Sequence, residues 1–239
     1  MVYHFYEHLG FATPHEERPL TACNMVASLD GKVTSGGTLQ PGSLGSSFDR
    51  MTMNVIRSHF DAVLTGGNTA RQHPFYLGVP THMETTRERK GLVAQPLTVL
   101  LTKSGNLDPQ SPIFANPPRP PIIMTSAKGY QNLHATIKSQ SMIEIIRDHQ
   151  GPQEIGARLW SKYQVRRLLV EGGPGVNYQF AQAKLLDELF LTIAPRLVGT
   201  AADFTLIMGP DVLDKPAEIR LVSVNRQGDE LFLRYGLKW

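Results

Sequence analysis

Two glycine-rich segments follow apolar runs and have the residues that phosphate binding needs. In residues 168–180, LLVEGGPGVNYQF, the apolar run ends at Glu171, and the turn 172–175 leads into a helical pattern. Glycines let a backbone approach a phosphate closely, and a helix N-terminus offers N–H groups and a positive dipole end. Residues 61–75, DAVLTGGNTARQHPF, repeat the arrangement and add the hydroxyl of Thr69. Together the segments suit the two halves of a dinucleotide, although each alone is also typical of a tight strand-to-helix turn.

A third segment carries groups that can manage a proton. Residues 21–34, TACNMVASLDGKVT, begin as an apolar strand and then place Ser28, Asp30 and Lys32 within five positions. A carboxylate and an amine just beyond a strand can orient a polar heterocycle and relay a proton. The pair Asp30-Gly31 is equally typical of a surface turn. Both interpretations stay open from this segment alone.

Several other chemistries are disfavoured. Cys23 is the single cysteine, which excludes an internal disulfide and a multi-cysteine zinc site. His4 and His8 have helical metal-ligand spacing, but no motif supplies a third ligand, so no metal is predicted. The sequence has no G-x-x-x-x-G-K-[ST] loop, no HExxH and no serine nucleophile elbow.

Charge and hydropathy narrow the class of protein further. The 239 residues include 24 basic and 21 acidic side chains, and a formal charge of +3 is too weak and dispersed to predict nucleic-acid binding. No apolar run approaches the roughly 18 residues that a membrane helix needs. The N-terminus has no basic start followed by an apolar core, so it does not read as a signal peptide. A cytoplasmic protein that binds a small molecule is the expectation.

The elements that must position these groups alternate between strands and helices. Strand-length apolar runs occur at 20–28, 61–65, 97–102, 121–125, 166–171, 188–194, 219–224 and 230–237. Helical patterns are predicted at 47–59, after a capping box of Ser141 and Glu144, at 155–163 and at 176–185. Such alternation predicts a mostly parallel sheet covered by helices on both faces. The last two runs flank Asn225–Asp229 and predict an antiparallel hairpin.

One domain accounts for this pattern. We predict an N-terminal arm at 1–19 and an α/β domain at 20–239, with three layers and a mixed, mostly parallel sheet. The proline-rich stretch 109–121 is predicted to be a surface loop within that domain.

Three motifs in this order resemble a known family. They are N-M-x-x-S-L-D-G-K at 24–32, a strand ending in G-x-x-T at Thr69, and L-V-E-G-G-P-x-x-N at 169–177. The sequence resembles the riboflavin-biosynthesis pyrimidine reductases over roughly residues 19–237. The resemblance implies a dihydrofolate reductase-like fold, a homodimer and a cytoplasmic enzyme with NADPH as hydride donor. It also implies a ribosylaminopyrimidine 5′-phosphate substrate, whose ribose is reduced to a ribityl chain.

The resemblance also implies roles for individual residues. Cofactor contacts fall on Ala27, Thr69, His73, Lys103, Ser104, Gly172, Gly173, Pro174, Gly175, Val176 and Asn177. Substrate contacts fall on Asn24, Ser28, Ser47, Arg57, Leu77 and Glu171. Asp30 and Lys32 are the expected catalytic pair, favouring an iminium form or relaying a proton. The group that reads the cofactor 2′-phosphate is left open between Lys103, Ser104 and the stretch 125–128.

Three positions depart from the family pattern. His73 stands where the family usually has an aspartate that contacts the cofactor, and Pro80 where it has an arginine that contacts the substrate phosphate. The usual W-[IT]-[ST]-[SG] reads 44–47, LGSS. Losing a charge-assisted phosphate contact removes roughly 1.5–3 kcal/mol. Two alternatives therefore remain: an NADPH reductase of the same fold acting on a pterin or dihydrofolate, and a non-catalytic nucleotide-binding relative.

Overall fold

The computed structural model of the protein describes residues 5–13, 15–34, 44–147, 151–199 and 204–239. The strands are β1 (Leu20–Ser28), β2 (Ala62–Gly66), β3 (Leu97–Thr102), β4 (Ile122–Thr125), β5 (Met142–Ile145), β6 (Arg167–Val170), β7 (Glu188–Ala194), β8 (Glu218–Gln227) and β9 (Glu230–Lys238). The helices are α1 (Ser47–Arg57), α2 (Gly67–Gln72), α3 (Glu84–Arg89), α4 (Ala127–Asn132), α5 (Ala135–Gln140), α6 (Gly151–Tyr163) and α7 (Pro174–Gln182). A 3₁₀ turn at Thr81–Met83 precedes α3.

The nine strands of the described chain form one sheet in the order β5-β4-β3-β2-β6-β1-β7-β9-β8. Neighbouring strands from β5 to β7 run parallel, and the pairs β7–β9 and β8–β9 are antiparallel. Strands β2 and β4 are buried along their whole length, because helices cover both faces of the sheet. The predicted mixed sheet, its flanking helices and its C-terminal hairpin are therefore confirmed.

Alternation along β1 sends its side chains to two different environments. Ala22 packs in the cluster that contains Val55 and Ile56 of α1. Cys23 packs in the opposite cluster, which contains Val176 and Phe180 of α7. Because strand side chains alternate, Asn24 and Ser28 belong to the α1 face, and Met25 and Ala27 belong to the α7 face.

One predicted helix is wrong. Residues 142–145 form β5, which pairs in parallel with β4, instead of a helix begun by a capping box of Ser141 and Glu144. Glu144 does not fold back on a helix N-terminus. It accepts hydrogen bonds from Arg158, Lys162 and Tyr163, at 2.5–2.6 Å. These tertiary ion pairs, together with the open edge of β4, outweigh the local capping preference.

The segment before β1 is fastened to the domain by Asp187. Its carboxylate accepts two hydrogen bonds from Arg18 at 2.8 Å, one from the Thr21 N–H at 2.8 Å, and one from His15 at 2.9 Å. Tyr6, further upstream, is buried against Phe190. Burial by itself would raise the pKa of Asp187, but the bonds from Arg18 and Thr21 outweigh it and hold the pKa below its usual range.

We expect Asp187→Asn to lower the free energy of unfolding by about 2 kcal/mol at neutral pH. A depressed carboxyl pKa stabilises the fold above the unfolded value and loses that contribution as pH falls through the folded value. The difference between wild type and variant should therefore shrink in acid. Urea unfolding from about pH 7 to pH 3 measures it, with the exposed Asp229→Asn as control. A difference that stays constant over this range would contradict the prediction.

The C-terminal hairpin carries an apolar face on the α7 side of the sheet. Residues directly opposite each other in antiparallel strands share a face. The registers align Ile219 with Leu237, Leu221 with Tyr235, Val224 with Leu233, Leu189 with Tyr235, Leu191 with Leu233, and Ile193 with Leu231. We call these ten residues the open sheet face. Ile219, Leu221 and Val224 are 60%, 50% and 54% exposed, which is unusual for neighbouring aliphatic side chains.

Candidate active site

The two glycine-rich turns predicted from the sequence meet at the carboxyl edge of the sheet. The N–H of Gly66, at the end of β2, donates to the carbonyl of Gly172, after β6, at 2.8 Å. Thr65 Oγ1 donates to the same carbonyl at 3.1 Å. The turns are joined because β2 and β6 are neighbours in the sheet, although about 100 residues separate them in the sequence.

Glycine is required where these turns approach each other. A Cβ on Gly66 would lie 2.9 Å from a methyl group of Val176, and a Cβ on Gly173 would lie 2.8 Å from Thr69 Oγ1. Gly172 has φ +80°, which side chains rarely adopt. The result is a narrow cradle of backbone with the Thr69 hydroxyl beside it.

The helices that leave the cradle begin without side-chain caps. The N-caps of α2 and α7 are Gly66 and Gly173, and as glycines they offer no side chain of their own to cap the helix. Pro174 opens α7, where its missing N–H costs nothing. Uncapped N–H groups at a helix start attract anions. In α7, Asn177 is fully buried and donates to the Leu206 carbonyl at 2.9 Å, whereas its Oδ1 has no partner among the described residues.

The ends of β3 and β4 extend this edge. Lys103 and Ser104 are exposed directly after β3. Ser126 Oγ, after β4, donates to the Lys103 carbonyl at 2.9 Å and accepts from the Gly129 N–H at 3.0 Å. The residues proposed to read a 2′-phosphate are therefore brought to one place, next to the cradle.

On the α1 face, Arg57 and Glu171 form a buried, two-pronged ion pair. Arg57 Nε and Nη2 donate to the two carboxylate oxygens of Glu171 at 2.7 and 2.6 Å. Their side chains are 8% and 10% exposed. A third bond runs from Arg57 Nη1 to the Gly78 carbonyl at 3.1 Å. The pair thus fixes the end of α1, the start of the glycine turn and the loop after α2 relative to one another.

Asp30 is positioned as a loop anchor. Its carboxylate accepts from Ser28 Oγ at 2.7 Å and from the N–H groups of Val198 and Gly199 at 3.0 and 2.8 Å. These bonds, the one from Ser28 above all, hold the pKa of Asp30 well below its usual range. Such a carboxylate stays ionised near neutral pH and is poorly suited to relaying a proton. Lys32 lies in the same loop, where its backbone N–H donates to Ser28 Oγ at 2.9 Å.

The remaining predicted contacts are spread along the same edge. His73 is half-buried, and burial lowers the pKa of its imidazole. The backbone N–H of His73 donates to the Thr69 carbonyl at 2.7 Å. Leu77 is buried in the cluster under α1, and Asn24 is half-buried on that same face of β1. Ser47 is exposed at the first position of α1. The roles predicted for these side chains stay predictions.

The sequence reasoning missed Asp49, in the first turn of α1. The cap of this helix is Ser46, whose Oγ accepts from the Asp49 N–H at 3.2 Å, and Ser46 also donates to Glu230 of β9. Thr192 of β7 lies near the Asp49 carboxylate and acts to lower its pKa. Burial, with the nearby Glu230 and Glu171, raises the pKa of Asp49 to about 6. Only the tertiary structure could reveal it, because the partners of Asp49 are remote in sequence.

Within the described ranges, no three His, Cys, Asp or Glu side chains are grouped to hold a metal ion. His4 lies outside those ranges. None of the described helices is long and apolar enough to cross a membrane.

Comparison with known proteins places this geometry in a family. The family model described as the RibD C-terminal domain matches residues 19–233. The chain belongs to the RibD C-terminal domain family. The family region begins at the end of the N-terminal segment and includes both glycine turns, the Arg57–Glu171 pair and Asp49.

Two curated relatives align with most of this chain and with most of their own length. The 2,5-diamino-6-ribosylamino-4(3H)-pyrimidinone 5′-phosphate reductase of Methanothermobacter thermautotrophicus is 23% identical over 92% of this chain and 99% of its own. The protein of the same name from Aquifex aeolicus is 25% identical over 81% of this chain and 84% of its own.

Solved structures share the fold. A pyrimidine reductase-like protein from Corynebacterium diphtheriae superposes with a TM-score of 0.80, at 23% identity, over 92% of each chain. RibD of Acinetobacter baumannii superposes with a TM-score of 0.77, at 22% identity, over 93% of this chain and 59% of its own. These two matches show that the chain shares its overall fold with known structures.

Proposed function

We propose that this protein is an NADPH-dependent reductase of riboflavin biosynthesis that reduces the ribose of a ribosylaminopyrimidine 5′-phosphate to a ribityl chain. One observation carries the proposal: two uncapped glycine turns, joined by the Gly66–Gly172 hydrogen bond, lie at the same sheet edge as the buried Arg57–Glu171 pair. A nucleotide cradle beside a rigid polar pair suits a two-substrate reaction. The names of the relatives supply the reaction class.

The cradle fits the pyrophosphate of a dinucleotide. Two features support the fit: the close approach of Gly66 and Gly173 to neighbouring side chains, and the uncapped starts of α2 and α7. Thr69 would donate its hydroxyl to a phosphate oxygen. Lys103 and Ser104 would meet the 2′-phosphate at the exposed end of β3. NADPH bound there would supply the hydride for the reduction.

The substrate would lie on the α1 face. Asn24, Glu171 and Arg57 approach this region from β1, β6 and α1, and the ion pair keeps the last two in fixed orientations. Holding two reactants in fixed geometry accounts for a large part of a rate enhancement. Asp30 and Lys32 would shape the loop that borders this region, with Asp30 as its anchor.

The proposal includes a cytoplasmic homodimer. The open sheet face is a contiguous apolar surface, and two copies of such a face can pack across a twofold axis. Burying it would remove the exposed aliphatic side chains of β8 from water. The enzyme would meet its phosphorylated substrate and NADPH in the cytoplasm.

The proposal is tested by following NADPH absorbance when purified protein meets the ribosylaminopyrimidine 5′-phosphate, in aminated and deaminated forms. Oxidation with either form is expected. Failure with both forms, with NADPH binding intact, would contradict the proposed reaction and favour a different substrate or a non-catalytic nucleotide-binding protein.

We expect Gly173→Ala to weaken NADPH binding about tenfold, because the added Cβ would displace the Thr69 hydroxyl from the cradle. Fluorescence titration with NADPH measures the dissociation constant. Gly151→Ala is the matched control, because at this first residue of α6 no atom of the described residues lies within 4 Å of the new Cβ. Equal dissociation constants for the two variants would show that the cradle does not take part in cofactor binding.

A further inference from the structure

Arg71, on α2, lies beside the nucleotide cradle and carries a charge that the proposed cofactor contacts leave unused. Its guanidinium folds back along the helix, so Nη1 would lie 3.6 Å from a Cβ on Gly67, one turn earlier. The same Cβ would lie 3.1 Å from the side chain of Thr102, the last residue of β3. The guanidinium is therefore placed between the cradle turn after β2 and the end of β3.

Two neutral acceptors hold the guanidinium at this place. Arg71 Nη1 donates to the backbone carbonyl of Asn106 at 2.7 Å, and Nη2 donates to Asn68 Oδ1. Asn106 lies in the loop after β3, and its own N–H donates to Ser104 Oγ at 3.2 Å. Arg71 and the Ser104 hydroxyl are thus tied to the same residue, and both side chains are exposed.

Among the described residues, no carboxylate forms an ion pair with Arg71. Arginines elsewhere in the chain do pair with acidic side chains, namely Arg18, Arg57, Arg147, Arg158, Arg226 and Arg234. A guanidinium has five N–H donors in one plane, and described residues accept from two of those of Arg71. One N–H on each nitrogen is then left, and two neighbouring N–H groups can donate to two oxygens of one phosphate.

The charges around Arg71 favour an anion. Lys103 directly precedes Ser104 and adds a second positive charge to the exposed end of β3. Asp108, later in the same loop, lines a cavity of about 290 Å³ together with Arg71. Its carboxylate accepts from the Gln110 N–H at 2.9 Å and forms no ion pair with the arginine.

A phosphate on the ribose of a dinucleotide matches these groups. NADPH differs from NADH by a phosphate on the 2′ oxygen of its adenosine ribose. A single ribose separates this phosphate from the pyrophosphate, so the two must be bound at neighbouring places. Arg71 and Ser104 are such neighbours of the cradle, and the Ser104 hydroxyl, which accepts from Asn106, can donate its own hydrogen to a phosphate oxygen.

We propose that Arg71, held by Asn68 and Asn106, binds the 2′-phosphate of NADPH, with the Ser104 hydroxyl as a second donor. The inference rests on the proposed function for the identity of the cofactor. Arg71 lies two residues after the G-x-x-T motif, outside the three motifs that resemble the family. Its role is therefore a property of this chain that those motifs do not supply.

The test is equilibrium binding, which does not depend on turnover. Fluorescence titration gives the dissociation constants of NADPH and NADH. Competition with adenosine 2′,5′-bisphosphate and adenosine 5′-monophosphate isolates the 2′-phosphate, because neither probe carries a nicotinamide. We expect the unaltered protein to bind NADPH about 100-fold more tightly than NADH, and the bisphosphate more tightly than the monophosphate.

Two variants remove the proposed donors one at a time. Arg71→Gln should weaken NADPH binding about 30-fold, and Ser104→Ala about fivefold. Both variants should keep the dissociation constant of NADH within about threefold, which also shows that they are folded. In both, the bisphosphate should lose its advantage over the monophosphate to the same extent as NADPH loses its advantage over NADH.

Arg119→Gln is the matched control. Arg119 precedes β4 and donates to one backbone carbonyl, that of Gln95, at 3.2 Å. Gln95 precedes β3, so this arginine lies at the opposite end of β3 and β4 from Arg71. The control removes the same charge and a similar hydrogen bond, and it should leave both cofactors bound as in the unaltered protein.

The outcomes separate the inference from the proposed function. Loss of the 2′-phosphate preference in Arg71→Gln, in a protein that reduces neither pyrimidine, would support the role of Arg71 and contradict the proposed reaction. The inference would be overturned, even if reduction occurs, by an unaltered protein that binds the bisphosphate and the monophosphate equally. It would also be overturned if Arg71→Gln weakened NADPH and NADH equally, kept the full preference, or behaved like Arg119→Gln.

Discussion

Glu171→Gln is expected to lower kcat/KM by about 100-fold or more and to reduce the free energy of unfolding by about 3–5 kcal/mol. The substitution keeps the volume but places an NH₂ group where a carboxylate oxygen accepts from Arg57 Nη2 at 2.6 Å in the unaltered protein. A buried guanidinium is then left without its counter-charge. Arg57 also donates to the Gly78 carbonyl, so the glycine turn after β6 and the loop after α2 should both lose their fixed positions. Steady-state kinetics and urea unfolding measure the two effects.

The structure supplies a matched control for this variant at the other end of the sheet. Glu188, the first residue of β7, accepts from Arg234 Nε and Nη2 at 2.9 and 2.8 Å. The side chains of Arg234 and Glu188 are 9% and 10% exposed, close to the values for the Arg57–Glu171 pair. Glu188→Gln should therefore cost similar stability and leave kcat/KM within about threefold. If both variants lost activity equally, the loss would reflect folding and Glu171 would have no special role.

The double variant Leu221→Glu/Val224→Glu is expected to convert the proposed dimer into a monomer of 26.5 kDa. Both side chains lie on the open sheet face and are half exposed in the single chain, so the monomer should tolerate the charges. Burying two carboxylates in an apolar interface should weaken self-association by about 1,000-fold or more. Light scattering over a range of protein concentrations measures the mass.

Arg220→Glu is the control for the double variant. Arg220 is exposed on the same strand, and its register partner is Gly236, on the other face from Leu237 and Tyr235. Arg220→Glu changes the charge at its position by more than either substitution of the double variant does. Its side chain, however, points away from the open sheet face. This variant should remain dimeric. A monomeric wild type, or a double variant that still dimerises, would show that the open sheet face is not a dimer interface.

Much of the fold could be predicted from the sequence because the information is local. Buried parallel strands such as β2 and β6 are short apolar runs, and the glycines that follow them mark in the sequence where each strand ends. The hairpin turn before β9 is equally local. The prediction failed at β5, where Glu144 takes its partners from α6 instead of from its own backbone.

In the candidate site, too, some features could be predicted from local sequence and others only from the tertiary structure. The residue types at 24–32, 66–69 and 171–177 were enough to propose a nucleotide cradle and a polar substrate side, because each motif is a continuous stretch. The sequence could not show that Glu171 is paired with Arg57, that Asp30 accepts hydrogen bonds from residues 198 and 199, or that Asp49 lies near Thr192. Each of these contacts joins residues more than 100 positions apart, and strand order in the sheet decides which of them meet. Local sequence therefore determined which chemical groups were available, and only the tertiary structure decided which were paired and which remained able to bind a ligand.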